Sequence, residues 1–228
     1  MRRTARPPKT PASVALAIAA ATAGVLPVFL TGALGVQLRR GLHLGSTDIG
    51  IAVTAFFASS ALCSITAGRL AERVGALKMM RWAALIALAS MVGLGALVHA
   101  LWSLALLLVL GGISNGTMQP AVNLFLSDNV RTRRQGLAFG VKQAGIPTAT
   151  LLSGLAVPAL AITVGWQAAY LAAAAVVAGV TAMLFVRRSP VSATRAPAPN
   201  GAALYSGEDR RTGGLAPGEP AVGCRGNP

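Results

Sequence analysis

Three side-chain amides, Asn115, Gln119 and Asn123, recur every four residues in an otherwise apolar stretch. On an α-helix this spacing puts them on one face. An amide both donates and accepts, so such a face can bind a polar solute or can tie helices together. Gly112 and Gly116 lie beside it, and Pro120 can bend the helix. Asn115 and Gln119 are the stronger solute-binding candidates, because Asn123 lies nearer a basic loop. A second polar site, Lys142-Gln143, sits among Gly140, Gly145 and Pro147. Lys142 follows Arg134 by eight residues, about 12 Å along a helix axis. A charge there is costly unless paired or hydrated. It either faces a cavity and attracts an anion, or it snorkels back to the aqueous surface.

Enzyme chemistry finds little support. His43 and His99 fall near the ends of apolar stretches, which favours interfacial places over catalytic ones. Ser153-Gly154 has no partner base in view, so an intramembrane hydrolase is a poor second. No dinucleotide fingerprint, P-loop or metal-ligand spacing occurs, and no cofactor or metal is implied. Cys63 lies in an apolar run and Cys224 near the C-terminus, a placement that suggests no disulfide framework.

The elements that must position these residues are membrane spans. Hydrophobic residues make up 54% of the 228 and charged ones only 11%, and mean hydropathy is +0.63. Apolar runs long enough to cross about 30 Å of hydrocarbon cover roughly residues 13–38, 49–71, 79–100, 102–126, 137–161 and 166–186. The net charge of +14 does not mark a nucleic-acid binder, because the basic residues cluster at the ends of these runs. The positive-inside rule explains that placement. The N-terminal segment 1–12, the 2–3 and 4–5 loops and the end of the sixth run are basic, whereas the 3–4 and 5–6 loops carry no Lys or Arg. Only Arg39 and Arg40 oppose the trend. Both termini are therefore expected in the cytoplasm, with the chain in the cytoplasmic (inner) membrane.

The first run is too long for a signal-peptide core and reads as an uncleaved span. From Ser189 onward, prolines interleaved with Gly, Ala, Arg and Ser point to a disordered cytoplasmic tail, 189–228. Residues 13–188 then form the folded bundle.

Its two halves resemble each other. An offset of 86 residues relates Gly50 to Gly136 and Gly68 to Gly154, and Trp82 and Trp166 open the third and sixth runs at a similar offset. Pro27 and Pro120 sit within the first and fourth. Two units of three spans are inverted relative to each other in the membrane.

The turn after the second span reads Gly68-Arg69-Leu70-Ala71-Glu72-Arg73-Val74-Gly75-Ala76-Leu77-Lys78. It resembles the loop signature of the major facilitator superfamily at Gly68, Glu72, Arg73, Gly75 and Lys78. Glu72 replaces the usual aspartate, and Ala76 and Leu77 stand where basic residues are common. The resemblance covers about residues 10–190. It implies an all-α membrane protein, with six transmembrane helices as two inverted three-helix repeats, half of that fold. The implied activity is secondary transport of a small solute by alternating access. Spans one and four would flank the substrate path, so Asn115 and Gln119 on span four would face it, and Lys142 and Gln143 on span five are the further solute-binding candidates. The turn would brace this half against the other as a gate. One departure concerns coupling. Gly111-Gly112-Ile113-Ser114-Asn115 stands where many proton-coupled members carry an arginine, and no span holds an Asp or Glu deep inside.

Superfamily members usually have two six-helix halves. Three expectations follow: a transporter cut to its N-terminal half by a frameshift near Ser189, a half-transporter that pairs with a C-terminal half or a second copy, or a non-transporting membrane scaffold. The lipid bilayer is a partner in each.

Overall fold

The computed structural model describes residues 11–161 and 163–186. The expected basic segment 1–12 lies almost wholly outside them, and the tail 189–228 lies entirely outside. Seven α-helices follow in order: α1 Pro11–Ala33, α2 Gly35–Leu42, α3 Ser46–Val74, α4 Ala76–Ala96, α5 Leu101–Asn129, α6 Thr132–Ala156 and α7 Trp166–Val186. A π-helical turn, Val157–Ala161, extends α6. The six long helices are the six expected spans, and α7 matches its expected limits.

The differences have local causes. The first span ends at Ala33, and the apolar run passes after Leu34 into α2, whose Arg39 and Arg40 lie in its last turn. Cations there complement the helix dipole. α3 starts at Ser46, where the Asp48 carboxylate accepts the Gly45 N–H at 2.8 Å. Ser103 Oγ accepts the His99 and Ala100 N–H groups, each at 3.1 Å, and fixes the start of α5. Among the described residues, five helices are long and apolar enough to cross a membrane: α1, α3, α4, α5 and α7. α6 falls short of that apolarity because Arg133, Arg134, Gln135, Lys142 and Gln143 dilute it.

The helix pairing carries the internal repeat. α3 packs on α5, the first helix of the other repeat, and α6 packs on α1 in the same exchanged way. α4 packs on α7, and α1 crosses α5. Both exchanged pairs come close through missing side chains. A Cβ on Gly112 would strike Ser59 Oγ and the Phe56 carbonyl, and one on Gly116 would strike the Ser60 carbonyl. In the other pair, a Cβ on Gly145 would strike Thr22 Oγ1. Gly145 is the repeat mate of Ser59 at the same 86-residue offset. Small residues drive helix association in lipid because they let backbones approach.

The core divides into two apolar layers. One holds Leu30, Phe56, Met91, Leu104, Leu108 and Tyr170, the other Leu16, Met80, Met118, Val122, Phe125 and Leu184. On α5 the layers are separated by Val109–Thr117, where Gly111, Gly112, Ser114, Asn115 and Gly116 are buried. Interhelical hydrogen bonds gather around this belt. Ser114 Oγ donates to the Ala83 carbonyl at 2.7 Å and Ser90 Oγ to the Leu107 carbonyl at 2.8 Å. Ser59 Oγ donates to the Phe56 carbonyl at 2.9 Å and lies 3.2 Å from the Val109 carbonyl. Such contacts are worth about 0.6 kcal/mol each on average. They keep the belt polar without leaving its hydroxyls unpaired.

Candidate functional site

The amide face of α5 is a hydrogen-bonded ladder. Asn115, 8% exposed, donates from Nδ2 to Ser60 Oγ on α3 at 2.9 Å. Gln119 Nε2 donates to Asn115 Oδ1 at 3.2 Å. Asn115 thus has its donor committed to a neighbouring helix and its acceptor to its own. Gln119 is partly buried, and its Oε1 accepts no hydrogen bond among the described residues. One turn further, about 6 Å along the axis, stands the exposed Asn123. Its Oδ1 accepts from Lys142 Nζ on α6 at 2.8 Å.

Lys142 is half-buried. Its ammonium ends on α5, six residues before Asn129 closes that helix, so it stops about 9 Å short of the helix end. Among the described residues the carboxylates are Asp48, Glu72 and Asp128, all at helix ends, and none pairs with Lys142. Gln143 is exposed and has no hydrogen bond among the described residues. The expected set of four is therefore split. Asn115 and Gln119 are joined, Lys142 is joined to Asn123, and Gln143 is joined to neither. Ser60 escaped the sequence reading, because no local pattern links it to Asn115. Asn123 was set aside for its depth, although it shares the amide periodicity.

The turn between α3 and α4 is a hairpin set by one residue. Gly75 is buried with φ 100° and ψ 137°, a conformation that L side chains rarely adopt. Its N–H donates to the Ala71 carbonyl at 3.0 Å, and its carbonyl accepts from Met79 N–H at 3.2 Å. It thus closes one helix and opens the next. Glu72, Arg73 and Lys78 are exposed and make no ion pair among the described residues. A Cβ on Gly68 would meet nothing within 4 Å. The neighbouring Arg81 is fixed within the bundle: its Nε donates to the Leu184 carbonyl at 3.0 Å, and its guanidinium lies 5.4 Å from the Phe185 ring centre.

Ser153 is buried and its hydroxyl has no hydrogen-bond partner among the described residues. A nucleophile needs a base within hydrogen-bond reach, and none stands there among the described residues. At the opposite end of the bundle from Gly75, Val36, Arg39, Arg40 and Leu44 line an open cleft of about 330 Å³.

Residues 12–218 match the family model of the Major Facilitator Superfamily. The chain belongs to the Major Facilitator Superfamily. It is a multi-pass membrane protein of a transporter family and not an enzyme. A hexuronate transporter of Bacillus subtilis (strain 168) is 23% identical over 151 residues, which are 65% of this chain and 36% of that protein. A solved POT-family transporter, PepTSo, aligns with TM-score 0.66 and 18% identity over 78% of this chain and 38% of its own. The peptide transporter POT crystallised with alafosfalin aligns with TM-score 0.69 and 17% identity over 93% and 46%. The two solved transporters share this chain's fold over the aligned residues. The chain spans between a third and a half of the length of these relatives.

Proposed function

We propose that this chain supplies one six-helix half of a secondary transporter for a small, polar, anionic solute, working by alternating access. The observation that carries the substrate class is the pair of Lys142 and Asn123. A cation well inside a helix is held there by a neutral acceptor, with no carboxylate of the described residues to neutralise it. A solute carboxylate would supply the missing charge. Gln119 Oε1 supplies an open acceptor on the same face, which suits a hydroxyl group. The hexuronate carried by the Bacillus relative has that combination of a carboxylate and hydroxyls.

This reading requires a second six-helix bundle to close the path, from a C-terminal half or a second copy. Two exposed helix faces support it. On α3 they are Gly50, Thr54, Ala58, Ala61 and Ile65, and on α6 Gly136, Gly140, Ala144, Pro147 and Leu151. Each residue pair is related by the repeat offset. Most are small, so another helix can approach closely. The free Glu72, Arg73 and Lys78 beside Gly68 would then brace the companion bundle as a gate. Arg69, Arg73, Lys78, Arg81, Arg131, Arg133 and Arg134 cluster at one end of the bundle, which supports the reading that this end and both termini face the cytoplasm and that the protein lies in the cytoplasmic membrane. Among the described residues no carboxylate lies away from a helix end, so a proton relay through this half would need a group from elsewhere.

The test is uptake of labelled glucuronate into proteoliposomes containing the full chain. Lys142→Met should reduce uptake at least about tenfold, the loss of one charge-assisted contact of roughly 1.5–3 kcal/mol. Uptake equal to wild type would remove Lys142 from the site. A chain that binds glucuronate but never accumulates it would favour the fragment or scaffold reading.

A further inference from the structure

Asn123 occupies the position that the solute's carboxylate would need. Its Oδ1 lies 2.8 Å from Lys142 Nζ, the distance of a charge-assisted hydrogen bond. An amide oxygen satisfies part of the ammonium's desolvation without cancelling its charge. An aspartate at the same position would cancel it and close the site to anions. The contact is also easily opened. α5 and α6 barely touch along their length, Asn123 is exposed, and Gly136 and Gly140 on α6 have open space beside them.

We propose that Asn123 is a specificity-determining placeholder: it holds Lys142 extended with a neutral acceptor until a solute carboxylate displaces it. This rests on the anion reading of the site given above. An ammonium exchanging an amide for a carboxylate gains a charge–charge interaction that the amide cannot supply. The exchange is selective against neutral solutes, which offer no more than Asn123 already does. Asn123 acts through Lys142 and is a positioning residue.

The experiment uses the full chain in lipid nanodiscs, with glucuronate as the anionic probe and glucose as its neutral counterpart. Binding is read as thermal stabilisation. Lys142 is read directly by NMR of ¹³C-methylated lysines, since the chain has only Lys9, Lys78 and Lys142. Glucuronate should stabilise the protein and move the Lys142 signal, and glucose should do neither. Asn123→Asp should weaken glucuronate binding by about tenfold or more, equivalent to about 1.4 kcal/mol, while the ligand-free protein keeps or gains thermal stability. A merely structural Asn123 predicts the reverse, because the new ion pair would strengthen the fold and leave affinity unchanged. Asn123→Ala, which frees Lys142, should leave affinity within about threefold. If the aspartate variant does not fold, the alanine variant decides alone, and a loss of more than about tenfold would make Asn123 a direct ligand and overturn the placeholder role. Wild-type affinity in Asn123→Asp, or stabilisation by glucuronate with an unmoved Lys142 signal, would overturn it too. No stabilisation by glucuronate at all would refute the anion reading of the whole site.

Discussion

Gly116→Ala tests whether the α3–α5 contact holds the amide face in place. The added Cβ would meet the carbonyl oxygen, carbonyl carbon and Cα of Ser60. All three are backbone, so no rotamer change relieves the overlap and the helices must part. Overpacking of this kind costs about 1–3 kcal/mol. Parting them by a further ~1 Å also carries Asn115 Nδ2–Ser60 Oγ, now 2.9 Å, and the Ser59–Val109 contact, now 3.2 Å, past hydrogen-bond reach. At about 0.6 kcal/mol each, the total is roughly 2–4 kcal/mol. At about 2–4 °C per kcal/mol for a chain of this size, the melting temperature should fall by on the order of 5–15 °C. Tryptophan fluorescence on heating in detergent reads it, with Trp82, Trp102 and Trp166 as reporters. The control is Gly68→Ala on α3, where a Cβ meets nothing within 4 Å. Alanine there should be neutral or stabilising by up to about 1 kcal/mol through helix propensity. Equal melting temperatures for the two variants would refute the close-approach argument.

Gly75→Ala should cost about 1–3 kcal/mol for strain at φ 100°, seen as a lower melting temperature, whereas Gly50→Ala in open space should not. Tyr170→Phe should cost about 0.6–1.7 kcal/mol, because Tyr170 Oη lies 2.7 Å from Thr31 Oγ1 in a fully buried pair. Thr31 still bonds the Pro27 carbonyl at 2.7 Å, so the double variant Thr31→Val, Tyr170→Phe should show a coupling energy of at least ~0.5 kcal/mol in a thermal double-mutant cycle.

The helices were legible because apolar runs of span length have one meaning in a chain this poor in charge. Their ends were less so. α6 begins at Thr132, five residues before its apolar run, since Arg133 and Arg134 are compatible with helix at an aqueous interface and hydropathy cannot see it. The i, i+4 spacing put Asn115, Gln119 and Asn123 on one face, and one face is what the structure shows. Their partners were not legible. Ser60 and Lys142 lie 55 and 19 residues away from the amides they bond, and no local period encodes such pairings. Gly75 was legible as part of a motif, but its reason is a backbone angle that the motif only implies.

The inverted repeat gives that site its asymmetry. Position 56 of α3 and position 142 of α6 are repeat mates at the 86-residue offset. Phe56 is fully buried and joins the apolar layer with Leu104 and Leu108. Lys142 cannot use the same slot, since an unpaired ammonium in an apolar layer costs several kcal/mol. Its side chain crosses instead to Asn123, at the open junction of α5 and α6. One repeat therefore spends this position on packing, and the other spends it on a charge. The framework survives the substitution because α6 is anchored elsewhere, through Gly145 against Thr22 and through buried Ala138 and Ala149. A duplicated unit can acquire a charge in one copy without losing the fold, provided that the helix contact and the charge fall on different turns, and here they do.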